Sequence, residues 1–144
     1  QDDHAPLSLA TLSWEQLNLN KKHLKSLSDQ QLRQLKRIDQ KVSSYQAYQA
    51  ALQAQHKTPA ITEAQFVLNK MLQTRLPEML TTHYQLTNIN VTNENSEKRL
   101  EASELLQSVL DNIEQRLDRL LAQMDEEQLK ELRVMKHYIN SHDS

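Results

Sequence analysis

The side chains best suited to metal or proton chemistry are the six histidines, His4, His23, His56, His83, His137 and His142. Their spacing argues against both uses. Di-iron bundles place Glu and His three residues apart on facing helices, and no His here has a Glu three residues before it. His137 and His142 stand five apart, about 140° around a helix, so they do not share one site. His4 lies one position too late for an amino-terminal copper site, which uses a histidine at the third residue. His83 falls on an apolar face and reads as a core histidine, not as a ligand.

Nucleophilic chemistry is equally poorly provided for. The chain contains no Gly and no Cys, where average usage would give about ten Gly. That absence removes the phosphate-cradling loops, the dinucleotide fingerprint and the strained elbow that aims a catalytic serine. It also removes Cys-ligated zinc and any disulfide scaffold. His23-Leu24-Lys25-Ser26 departs by one residue from the pattern of a phosphotransfer helix and lacks the Gly that usually follows. The cluster Asp125, Glu126, Glu127 reads as first-turn charge complementing a helix dipole. The chemistry expected is therefore binding, with no enzyme, no metal and no cofactor.

The elements that position these residues are helical. Leu (24 copies) and Gln (17 copies) dominate, against only six aromatics, and both are strong helix formers. Seven basic positions, Lys21, Lys22, Lys25, Arg33, Lys36, Arg37 and Lys41, crowd the early chain, whereas residues 97–144 carry seven basic and eleven acidic groups. Two readings follow. One is attraction between a basic second helix and an acidic fourth. The other is a basic strip offered to a partner, with Lys36, Arg37 and Lys41 at its centre and Tyr45 and Tyr48 beside it. Tyr45, Tyr48 and Phe66 read as core, with an aromatic docking patch as the alternative. The net charge of −2 argues against nucleic acid as that partner.

Residues 1–11 read as a flexible lead and 12–144 as a single helical domain. A short helix is expected from Trp14 to Ser26. A long one runs from Ser28 to near His56, on the stripe Leu32, Leu35, Ile38, Val42, Tyr45, Tyr48 and Leu52. Thr58-Pro59 marks a stop and restart. A third helix carries Ile61, Ala64, Leu68, Leu72, Leu76, Met79 and His83 on one face, with a kink near Gln73–Pro77 or a brief break there, because Pro77 lacks an amide donor and crowds the carbonyl four residues back. The Asn- and Thr-rich segment Thr87–Ser96 reads as a loop, and Asn90-Val91-Thr92 is a formal glycosylation sequon. The fourth helix holds Leu100, Leu106, Leu110, Ile113, Leu117, Leu120 and Met124. Asp125 then caps a last helix that turns Leu129, Leu132, Met135 and Ile139 inward.

One pentad recurs: an apolar residue, a small oxygen-bearing residue, two free positions, then Gln. It occurs at Leu12–Gln16, Leu27–Gln31, Ile61–Gln65 and Met124–Gln128. Locally this is a capping box, in which the small side chain accepts from the third helical amide and the Gln reaches back. The second and fourth pentads are also placed as are the two Leu-Thr-x-x-Gln motifs of the Spy/CpxP family of periplasmic helical chaperones and stress adaptors, which this chain resembles in size and in those two windows. The early motif matches through Leu27, Ser28 and Gln31. The late one, Met124, Asp125 and Gln128, departs at two positions, and the family's basic, Met-rich character is missing. The resemblance implies a cradle-like helical dimer that holds unfolded clients without ATP, or a regulatory adaptor of the envelope.

The fold expected is an all-α antiparallel bundle of four or five helices, three of them long, with dimerisation completing it. The function expected is a non-enzymatic envelope binding protein, periplasmic or secreted after removal of a signal peptide ahead of Gln1. It would hold clients on apolar strips between its helices. A structural or secretion-related module with one dedicated protein partner is the first alternative, and a ligand-sensing bundle cut from a membrane receptor the second.

Overall fold

A computed structural model describes residues 9, 12–55, 62–89 and 96–142. The lead with His4, the Thr58-Pro59 restart and the Asn90 sequon lie outside the described residues.

Within them the chain is all-α. Helix α1 spans Asp29–Ala54. A continuous middle rod follows: α2 at Glu63–Lys70, a wide π turn at Met71–Arg75, α3 at Leu76–Tyr84 and a second π turn at Gln85–Ile89. Helix α4 spans Ser96–Ser141. Direction follows from the contacts. Gln31 meets Ser103, Arg37 meets Glu114, Lys41 meets Asp118 and Tyr48 meets Gln128, so α1 and α4 run parallel. The middle rod is antiparallel to both: His83 lies beside Ser26 near the start of α1, and Gln65 beside Leu120 and Met124 far along α4.

The core is an aliphatic seam between the three rods. Leu32, Leu35, Ile38, Val42 and Tyr45 come from α1, Leu68, Leu72, Leu76 and Leu80 from the middle rod, and Leu106, Leu110, Ile113, Leu117, Leu120 and Met124 from α4. The α4 positions alternate four and three apart, the spacing of a helix that presents one seam to its neighbours. Two of the four pentads are capping boxes with both hydrogen bonds made: Ser28 with Gln31 at α1, and Thr62 with Gln65 at α2.

The other two pentads fold differently. No α-helix forms over Trp14–Ser26; residues 12–20 carry no regular structure apart from a bend at 15–16, and Lys21–Leu24 makes one 3-10 turn. The reason lies on α1. The fully buried Asp39 carboxylate accepts the amides of Glu15, Gln16 and Leu17 at 2.8, 2.9 and 2.9 Å. Those amides point into the bundle and are not available to start a helix. Leu12 and Leu17 are buried as a result, and Leu27 closes the same end of the core.

Asp125 caps nothing. It lies inside α4, a single helix of 46 residues, because no Pro or Gly interrupts the chain between Ser96 and Ser141 and an interior Asp costs well under ~1 kcal/mol. The fourth and last helices expected from the sequence are therefore one, and Asp125, Glu126 and Glu127 are mid-helix charges. Ahead of Pro77, where a kink or a brief break was expected, the helix widens into a π turn in which the Leu76 amide reaches Met71, five residues back instead of four. Thr87–Ile89, expected in a loop, belong to the second π turn, and 90–95 lie outside the described residues.

Candidate functional site

Of the residues singled out from charge and aromaticity, Lys36, Arg37, Lys41, Tyr45 and Tyr48 are engaged within the bundle, whereas Phe66, expected in the core, is exposed. Arg37 makes a two-pronged contact with Glu114, Nε to Oε2 at 3.0 Å and Nη2 to Oε1 at 3.1 Å. Lys41 reaches Glu114 at 2.8 Å and Asp118 at 2.6 Å. Gln34 donates to Glu114 at 3.1 Å and Asp111 at 2.8 Å, and Gln107 donates to Gln34 at 2.7 Å. The hydrogen bonds from Arg37, with those from Lys41 and Gln34, hold the Glu114 carboxyl down at about 2. The same contact raises the Arg37 guanidinium above its ordinary value. Attraction between a basic α1 and an acidic α4 is thus realised along their parallel seam.

Lys36 donates to the Ser13 carbonyl at 2.6 Å and lies over the Trp14 ring, 5.8 Å from its centroid. Tyr45 is in the core, Tyr48 is half-buried and accepts from Gln128 at 3.2 Å, and Phe66 is exposed. Leu27, Ser28 and Gln31 form the α1 cap, and Gln31 also donates to the Ser103 carbonyl at 3.3 Å. Met124 is the last buried residue of α4, Asp125 is exposed, and Gln128 makes the bond to Tyr48 just described.

The surface that sequence reasoning misplaced is the end of α4. Leu129, Leu132, Met135 and Ile139, expected inside, are 44, 62, 54 and 61 % exposed, and Val134 and Tyr138 are exposed alongside them. Continuing the four-three alternation of the buried seam past Met124 arrives at Glu127 and Glu131, so the seam is closed by carboxylates. The apolar stripe carries on displaced around the helix, from roughly 20° (Met135) to roughly 140° (Leu129) from Met124 at 100° per residue. Helix α1 ends at Ala54, and every residue from 125 to 142 is exposed. The Tyr48–Gln128 contact sets Ala54 level with about residue 134, so only the last turns of α4, roughly 12 Å at 1.5 Å per residue, run past the end of α1. The signal was available: a stripe of this kind needs an opposing surface, and no comparably long apolar stripe was left to supply one.

Among the described residues no group of three or more His, Asp or Glu is placed to hold a metal ion. No described helix is long and apolar enough to cross a membrane. Comparison with models of protein families, with curated proteins and with solved structures gave no match.

Proposed function

We propose that this chain is a non-enzymatic binding protein of chaperone or adaptor type, and that it holds a protein partner along the projecting edge of α4. One observation carries the reading: Leu129, Leu132, Met135 and Ile139 form a helical stripe exposed to solvent at the end of an otherwise well-packed rod. Contiguous exposed apolar surface of this kind marks interaction sites in soluble proteins. An amphipathic helix read at three- and four-residue intervals is a recurrent docking element. Lys36, Arg37 and Lys41, at the centre of the basic strip, are engaged internally, which favours the apolar edge as the recruiting feature. The envelope location belongs to the same reading and rests on the Leu27–Gln31 and Met124–Gln128 windows.

The test is suppression of aggregation. A heat-aggregating client is mixed with a several-fold excess of the full chain and followed by light scattering. The native chain reduces scattering, and Leu132→Glu/Ile139→Glu does not. Equal scattering with and without the native chain overturns the chaperone form.

A second copy of the chain is the second reading, favoured by the charge order along the edge. Asp125, Glu126 and Glu127 lead it, and Lys130, Arg133 and Lys136 follow, with Glu131 among them and Arg133 3.8 Å from Glu126 of the same helix. Antiparallel pairing of two such edges sets acid against base at both ends. It would also supply the dimer that completes the bundle.

A further inference from the structure

The end of the bundle away from the α4 edge is tied together by side chains more than by backbone. Residues 12–20 carry no regular structure apart from a bend, Lys21–Leu24 makes a single 3-10 turn, and α1 begins only at Asp29. Facing them, the middle rod ends in the π turn Gln85–Ile89. Ser26, His83 and Thr87 join the two sides. The Thr87 hydroxyl lies 2.8 Å from Ser26 Oγ and 2.7 Å from the His83 carbonyl, and Ser26 Oγ lies 3.4 Å from His83 Nδ1. Leu24 and Leu27 are buried at the same end. Segments with few regular backbone hydrogen bonds open at a lower free energy than the core they adjoin.

His83 is 4 % exposed, and its Nε2 is buried without a hydrogen-bond partner. A neutral imidazole carries one N–H, on either nitrogen. The imidazolium carries two, so Nε2–H then needs an acceptor that the closed bundle does not provide. Its charge has no counter-charge either. On its own rod, Glu78 is exposed and paired with Arg75 at 3.3 Å, and the Tyr84 ring lies against His23. From the segment ahead of α1, His23 Nδ1 meets the Thr81 hydroxyl at 3.2 Å, Lys22 lies over the Tyr84 ring, and Lys25 is exposed. From α4, Arg99, Glu101 and Glu104 flank Ala102 and Leu105, which line the groove beside His83. None of these groups acts on the imidazole: burial alone pushes it below its ordinary value of 6.5.

We propose that this end of the bundle is a latch released by acid: uptake of one proton by His83 opens the junction between residues 21–28 and the π turn Gln85–Ile89, while the seam of the three rods stays folded. A buried imidazole that gains a second N–H must either strip an ion of water or reach water, and opening the junction supplies the water. The opening bares Leu24 and Leu27. The direction follows from linkage. A histidine depressed in the closed form and restored on opening stabilises the closed form fully above pH 6.5, and that contribution is lost as pH falls below it. One proton taken up on opening raises the opening equilibrium by up to about tenfold per pH unit. Glu114, held at about 2, titrates lower and contributes little in this range.

The experiment is amide hydrogen exchange of the full chain by NMR between pH 7 and pH 5.5, corrected for the intrinsic pH dependence of exchange. The Leu27 amide donates to the Leu24 carbonyl, and the Gln85 amide to Thr81 and Thr82. Both should lose protection on acidification, by up to about eightfold for a group released at 6.5. At pH 5.5 their exchange should respond little to dilute urea, whereas that of Ile38 and Ile113 in the central seam should show the full sensitivity of global unfolding. His83→Phe, which keeps a ring in the core and cannot take a proton, should hold Leu27 and Gln85 constant over the same range. His23→Gln should keep the native response. One reading needs no substitution: in the native chain the His83 ring signals of the closed form should stay at their neutral position at pH 6. An equal pH response in the native chain and His83→Phe, loss of the response in His23→Gln, a His83 ring that titrates at its ordinary value within the closed bundle, or exchange of Leu27 in step with Ile38 at pH 5.5 overturns the proposal.

Discussion

Asp39 of α1 reaches back twenty-two residues to accept the Leu17 amide at 2.9 Å, both residues being buried. With Glu15 and Gln16 held by the same carboxylate, one side chain fixes the path of the whole segment ahead of α1. An ionised acceptor facing three amides makes strong, charge-assisted hydrogen bonds. Asp39→Ala should destabilise the fold by about 3 kcal/mol, since it leaves three partly or fully buried donors unpaired. Asp39→Asn should cost nearly as much, because its amide group turns a donor towards donors. Urea unfolding followed by circular dichroism measures both; an Asn variant within about 0.5 kcal/mol of the native chain would show that the carboxylate is not what holds the segment.

Glu114 makes the parallel pairing of α1 and α4 sensitive to acid. Its carboxyl is held at about 2 by Arg37, Lys41 and Gln34, below the ordinary value of 4.5. A carboxyl depressed in the folded state stabilises the fold above its unfolded value and loses that contribution as pH falls towards the folded one. Stability should therefore decline between about pH 4.5 and pH 2 through this group. Glu114→Gln should be less stable at pH 7, by about 1–2 kcal/mol for loss of a partly buried, doubly paired charge. It should also show a flatter pH dependence inside that window. Thermal melts at half-unit steps of pH decide this; parallel curves for the two proteins would remove Glu114 as the acid-sensitive group.

How far the sequence disclosed this arrangement depends on whether a local pattern had competition. The α1 stripe and the Ser28 and Thr62 boxes were legible because helix start, apolar period and cap agree there. Ser13 and Asp125 carry the same pentad and do something else. At Ser13 the following amides are captured by Asp39, a residue 26 positions further on. At Asp125 the helical ladder runs through, since nothing in the flanking residues breaks it. Asp39 itself left a trace: it stands seven residues after Leu32 and four after Leu35, on the inward face, where a carboxylate is out of place unless it is paired. The α4 edge was misread because apolar period alone says that a face will be covered, and does not say by what. His83 was legible as a core residue on an apolar face, but its neighbours Ser26 and Thr87 adjoin it only in the folded chain.

Substitutions on α4 should separate into two classes at Met124. Leu117 is fully buried between the three rods, and Leu117→Ala should cost about 3 kcal/mol, in the usual range for a cavity of that size. Leu132 and Ile139 touch none of that core, so Leu132→Glu/Ile139→Glu should leave the melting temperature of the bundle almost unchanged while abolishing capture of the client. A large loss of stability from the edge substitutions, measured on dilute protein, would show that the stripe is covered from within the chain.

Self-pairing of the α4 edges, if it is the dimer contact, has a direction that charge can test. Asp125 and Lys136 lie between Leu132 and Leu129 around the helix, eleven residues and so about 20° apart. In an antiparallel pair centred between Leu129 and Leu132, each Asp125 faces the other copy's Lys136, which gives two equivalent contacts. In a parallel pair each Asp125 faces the other copy's Asp125. Asp125→Lys should therefore weaken an antiparallel dimer by about tenfold, two exposed pairs becoming two repulsions of modest size. Asp125→Lys/Lys136→Asp should restore the native affinity, since the reversed pair has the same geometry. Asp125→Asn, which strengthens a parallel dimer, should slightly weaken this one. Sedimentation equilibrium at low salt reads all three, because screening suppresses exposed contacts at high ionic strength. A native chain that is monomeric at every concentration tested leaves the edge to a different protein partner and ends the case for self-pairing.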